Sequence, residues 1–116
     1  MIMVRVRVMY WKEIPVQVQA EDASGRVSRQ LEDRFQQAAD MVAMQDGSQG
    51  TDKYLDGWGF GDYTDGEGTA SEAADAVAVR LEKMPADFTL KIVAMQKDGT
   101  RNPAPGAIDH WATGSE

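Results

Sequence analysis

Five carboxylates, Asp52, Asp56, Asp62, Asp65 and Glu67, fall within sixteen residues of a chain of 116. Acid groups at that density could ligate a hard cation or move a proton. A calcium loop, however, needs ligands at alternate positions, a glycine at the sixth and a glutamate at the twelfth, and Asp62-Tyr63-Thr64-Asp65-Gly66-Glu67 is only a loose echo of that pattern. The simpler reading is an acidic loop solvated by water. One histidine, His110, cannot build a zinc site, and the absence of cysteine excludes thiolate nucleophiles and disulfides. For acid–base work the chain offers Lys12, Glu13 and the loop aspartates, without a His, Cys or Ser constellation to organise them. Gly57-x-Gly59-x-Gly61 opens no helix directly and lacks the final spacing of a dinucleotide fingerprint. No catalytic residue, metal or cofactor is therefore expected.

The aromatic residues carry more information. Trp11, Tyr54, Trp58, Phe60 and Tyr63 are five of the chain's nine aromatic residues. Four of them lie in Tyr54-Leu55-Asp56-Gly57-Trp58-Gly59-Phe60-Gly61-Asp62-Tyr63, interleaved with glycine and aspartate. Glycine loses the most conformational entropy on ordering, so such a loop must recover that cost by packing its rings or by binding something. Two readings stand. Trp58 and Phe60 staple the loop to the core, or Trp11, Tyr54, Asp56, Trp58, Phe60, Asp62 and Tyr63 form a binding surface for a protein or a flat ligand. Met41, Met44 and Met84 are read as core filler.

The elements that must position these rings follow from periodicity. Val4, Val6, Val8 and Tyr10 alternate with Arg5, Arg7 and Met9, and Ile14, Val16, Val18 and Ala20 alternate with polar neighbours, which predicts a hairpin with Arg5, Arg7, Gln17 and Gln19 on an open face. Residues 21–26 read as a turn, and Ser28 as the cap of a helix carrying Leu31, Phe35, Ala38, Ala39 and Val42 and ending near Met44. From Gln45 to Gly68, seven glycines and six carboxylates face one lysine, so a long loop is expected, with a short strand at Trp58–Tyr63. Thr69-Ala70-Ser71-Glu72 is a capping box opening a second helix with Ala74, Val77, Ala78 and Leu81 inside. Phe88, Leu90, Ile92 and Ala94 alternate as a last strand, in which Val93 and Met95 are surplus apolar residues. The expected fold class is α+β, a three- or four-stranded sheet with two amphipathic helices on one face in the order β-β-α-(β)-α-β. One domain over residues 1–96 is followed by a Pro/Gly-rich tail at 97–116, whose Ile108-Asp109-His110-Trp111 either docks back or stays free.

Charge narrows the partners. Twelve basic against nineteen acidic residues give −7, which argues against nucleic acid and anionic membranes. The N-terminus builds no signal-peptide core and no window reaches transmembrane length, so a cytoplasmic protein is expected.

Tyr10-Trp11-Lys12-Glu13-Ile14-Pro15, Leu31 with Arg34-Phe35-Gln36, Ala43-Met44 and Tyr54-Leu55-Asp56-Gly57-Trp58 together resemble the small bacterial "virulence factor" domain family, over residues 3–85. That domain occurs alone and at the C-terminus of HEAT-repeat proteins called conserved virulence factor C. The resemblance implies no reaction and no catalytic residues. It implies an accessory role beside tetrahydrofolate-linked one-carbon enzymes. The expected function is a non-catalytic interaction domain docking on a partner enzyme. The alternative is a binding protein or enzyme that uses the acidic aromatic loop 54–67 for a planar ligand such as folate. A homo-oligomer formed through the sheet face or edge is a further expectation.

Overall fold

The first alternating run builds strand β1 (Val4–Trp11) and the second builds β2 (Ile14–Asp22). They pair antiparallel across Lys12 and Glu13, from Arg5 opposite Glu21 to Trp11 opposite Ile14, with a register shift beyond Met9. The structure is a computed structural model and describes residues 3–113. Along the chain follow β3 (Gly25–Gln30), α1 (Asp33–Asp46), α2 (Asp52–Asp56), β4 (Trp58–Phe60), β5 (Thr64–Gly66), α3 (Ala70–Leu81), α4 (Phe88–Asp98) and a 3-10 helix at Asp109–Thr113. The sheet runs β3-β2-β1, and the far edge of β1 is shared by β4, opposite residues 9–11, and β5, opposite residues 4–6. The fold is α+β, as the patterning predicts, with five strands rather than three or four.

Val4, Val6, Val16, Val18 and Ala20 are buried, with the apolar stripes of the helices also in the core. α3 contributes Leu81 and four alanines, Ala70, Ala73, Ala74 and Ala78, whose small side chains let the helix axis approach the strands closely. Its capping box is complete: Thr69 Oγ1 accepts from the Glu72 N–H, and Glu72 Oε1 accepts from the Thr69 N–H. α1 packs on α4 through Phe35 and Phe88, whose ring centroids lie 5.3 Å apart.

Three expectations are corrected. The last strand is helix α4: only Phe88 and Ile92, four residues apart, are buried on it, while Leu90 is 67% exposed, so the period is helical. Gly99 at φ 82° ends that helix in the left-handed conformation. Val93 and Met95 are half-buried on α4. Ser28 caps nothing, because it lies in β3 opposite Gln19, and α1 begins at Asp33. Strand β3 escapes the pattern because Arg26, Ser28 and Gln30 face solvent and only Val27 packs on the core. Of the three methionines read as filler, Met84 is buried, but Met41 and Met44 are 47% and 60% exposed.

Beyond α4 the chain returns to the body. Ile108 and Ala112 are buried in the main core, so the Ile108–Trp111 stretch takes the docked alternative. Among the described residues, no helix is long and apolar enough to cross a membrane.

Candidate functional site

The seven residues singled out by sequence separate into three places. Trp11, Tyr54 and Trp58 form a ring stack. Trp11 and Tyr54 centroids are 5.6 Å apart, and Tyr54 meets Trp58 edge-on at 6.1 Å. Trp11 is wholly buried, so it supports the site from beneath; Tyr54 and Trp58 are partly exposed. The Trp11 Nε1–H donates to the Tyr54 carbonyl at 2.8 Å, and the Lys12 N–H donates to the Gly57 carbonyl at 2.7 Å. These two bonds tie the α2–β4 corner to the β1–β2 turn. Gly57 has no room for a side chain, since a Cβ there would lie 2.7 Å from Trp11 Nε1. Lys12 itself holds φ 51°, an uncommon backbone for a non-glycine residue, fixed by its bonds on both sides.

Around this corner opens a cleft of about 380 Å³. Its lining is Trp58 with Asp56 and Lys53 of α2, the Gly57 and Gly59 backbone, Lys12, and two prolines of the C-terminal segment, Pro103 and Pro105. Leu55, on the same short helix, is 67% exposed. α2 is set by Thr51, whose Oγ1 accepts from the Lys53 N–H and whose hydroxyl donates to the Ser48 carbonyl at 2.7 Å.

Phe60 and Tyr63 go to the open face of the sheet. The Arg7 guanidinium carbon lies 3.7 Å from the Phe60 ring centre and 4.8 Å from that of Tyr63, and the Arg5 guanidinium carbon lies 4.4 Å from the same Tyr63 ring. Rings and guanidinium groups thus alternate along β1. Arg7 also donates to Gln19, and Arg5 pairs with Glu21.

Asp62 lies elsewhere again, lining a cavity of about 150 Å³ with Tyr10, Arg80 and Asp109. The Tyr10 hydroxyl donates to Asp109 Oδ2 at 2.5 Å, and Oδ1 is buried without a hydrogen-bond partner among the described residues. Burial, and then the Asp109 carboxylate, push the Tyr10 phenol far above its ordinary range. Burial also raises the Asp109 carboxyl, against the opposing pull of Tyr10, Arg80 and His110.

Sequence reading missed the charged cluster beneath the cleft. Arg101 donates to both oxygens of Glu13 at 2.7 Å and to Asp46 Oδ2 at 2.8 Å; the Lys12 ammonium donates to the same Asp46 oxygen and to Ser48 Oγ. Glu13, Asp46 and Arg101 side chains are 1%, 5% and 6% exposed. Burial pushes Asp46 upward, yet the bonds from Lys12, Ser48 and Arg101 outweigh it and hold the carboxyl well below the usual range. Two negative and two positive groups balance. The acidic loop residues, by contrast, are dispersed over separate places, and no three metal-binding side chains converge among the described residues.

A five-stranded antiparallel sheet backed by helices, with a cleft lined by Trp58 at the α2–β4 corner, defines a small α+β domain. The sequence profile of the family described as "Virulence factor" matches residues 9–95, three quarters of the chain, and the protein belongs to that family. No curated protein and no solved structure matches it.

Proposed function

We propose that this domain is a non-catalytic accessory module that holds a segment of a partner protein in the Trp58 cleft. One observation carries the reading: a partly exposed indole, held from below by Tyr54 on the buried Trp11, lines an open cleft. Aromatic anchors in preformed pockets dominate the energetics of protein interfaces. Attachment to one-carbon metabolism enters this proposal through the family resemblance alone.

The test is affinity capture from the native cytosol with wild-type and Trp58→Ala proteins, both verified as folded by circular dichroism. A partner held by the wild type and lost by the variant supports the reading. Equal recovery from both discards it.

A second reading is favoured by the cleft's size, which lies in the range of small-molecule pockets, about 300–1,000 Å³. In that case a planar ligand, a folate or a nucleotide, stacks on Trp58. Titration with these compounds should then quench tryptophan emission, and an unchanged spectrum at millimolar ligand removes it.

A further inference from the structure

Lys12 and Lys53 both line the cleft, but they are not equivalent. The Lys12 ammonium is committed to Asp46 and Ser48, whereas the Lys53 ammonium forms no ion pair among the described residues. In a chain of net charge −7, a free cation beside an indole is a selective feature. Asp56, three residues further along α2, adds one acceptor at the rim.

Part of the cleft lining, Pro103 and Pro105, comes from residues outside the family-matched stretch. Pro103 and Pro105 present rigid rings, and the segment bearing them is pinned on both sides. Two residues before Pro103, Arg101 is locked into Glu13 and Asp46. Past Pro105, the Tyr10–Asp109 bond and buried Ile108 and Ala112 fasten the chain. The Asn102 side chain accepts from the Ala104 N–H, closing the local turn. A wall so held is preorganised, and its ordering cost is met by folding rather than by binding.

We infer that the cleft takes a flat aromatic acid, its ring between the Trp58 indole and the two prolines and its anionic group on Lys53, with Asp56 able to accept from a ring N–H. This rests on the second, planar-ligand reading of the cleft. It also makes Arg101 a positioning residue, which acts on the ligand only through the proline wall.

Indole-3-carboxylate carries the ring, the N–H donor and the anion, and indole-3-carboxamide is its neutral counterpart. Both can be titrated by nuclear magnetic resonance of ¹⁵N-labelled protein, with the Trp58 indole N–H as reporter. A ligand this small is expected to bind at about millimolar concentration. The acid should bind about threefold to fivefold more tightly than the amide, and Lys53→Met should erase that difference without weakening the amide. Pro103→Ala/Pro105→Ala, which leaves the buried charges untouched, should weaken both ligands. Arg101→Met should do the same where it stays folded. Equal binding of acid and amide by the wild type, absence of shifts at Trp58, or full affinity in the double-proline variant overturns the inference. Partner capture that depends on Trp58 in a protein that ignores both indoles refutes the small-acid ligand and leaves the docking reading standing. Charge-dependent indole binding without any captured partner does the reverse.

Discussion

Arg101 and Glu13, 88 residues apart in the chain, meet fork to fork, Nε on Oε2 and Nη2 on Oε1 at 2.7 Å each, with both side chains out of solvent. The bidentate geometry is the one in which a guanidinium matches a carboxylate best. Its removal, rather than its presence, is where the energy shows, because a lone buried carboxylate keeps its desolvation penalty without its counter-charge. Arg101→Ala is expected to lower stability in urea unfolding by about 3–5 kcal/mol. A combined Glu13→Gln/Arg101→Met protein should regain part of that loss, since neither buried charge then stands alone. If the single variant loses under about 1 kcal/mol, Glu13 is reaching water and the cluster is looser than its geometry.

Gly57 tests the corner beneath the cleft. A methyl group there would meet the Trp11 indole nitrogen at 2.7 Å, and the indole is bonded to the Tyr54 carbonyl and has nowhere to retreat. Gly57→Ala should cost about 1–3 kcal/mol through overpacking. Gly59→Ala is the control, having nothing within 4 Å of its added carbon. Similar thermal melts for the two variants would show that the corner yields freely.

The two loop aromatics should separate in their effects. Phe60 lies on the Arg7 guanidinium and is 44% exposed, so Phe60→Ala should cost about 0.5–1 kcal/mol and leave the cleft intact. Trp58→Ala should abolish partner capture. Loss of capture from the Phe60 variant alone would move the recognition surface to the open sheet face.

Acid stability should follow Asp46. Its carboxyl is held below its ordinary value of 3.8 in the fold, so its contribution is present above that pH and is lost as pH falls toward the lowered folded value. Denaturant titrations between pH 6 and pH 2 should show the wild type weakening more steeply than Asp46→Asn over the acid end. Asp109 has the opposite sign: its raised value means that the folded state holds the proton more tightly, so its ionisation penalty is relieved as pH falls. In Asp109→Asn that relief should vanish, so melting curves followed from pH 7 down to the ordinary carboxyl value of 3.8 should lack this contribution to stability.

Much of this architecture was legible from residue patterns. The hairpin, the capped α3 and the α+β class follow from alternation and a reciprocal cap, signals that local geometry makes strong. The strand assignment for Phe88–Met95 failed because Phe88, Leu90 and Ile92 satisfy period two as well as Phe88 and Ile92 satisfy a helical turn; Gly99, a left-handed helix stop, was the deciding sign in the sequence. β3 lacked an apolar face to reveal it. The ring cluster marks the corner where the cleft opens, but only Asp56 and Trp58 of the seven chosen residues line it. Lys53, Pro103 and Pro105 were invisible as partners because they meet only through the tertiary path of the C-terminal segment. Arg101 sat in a stretch that reads as linker, and no local pattern marks the distant Glu13 as its counter-ion.

That long-range ion pair also orders events in time. During synthesis Glu13 and Asp46 emerge well before Arg101, and until residues 101–112 arrive Asp46 has Lys12 to answer it, Glu13 lacks the Arg101 fork, and the cleft lacks its two prolines. Most of the sheet and helices can gather first, but the Trp58 cleft is completed by Pro103 and Pro105, outside the family-matched region. Under the proposed function, recognition is switched on by the closing of the chain upon itself, and a nascent or clipped molecule would carry the indole without the proline wall beside it.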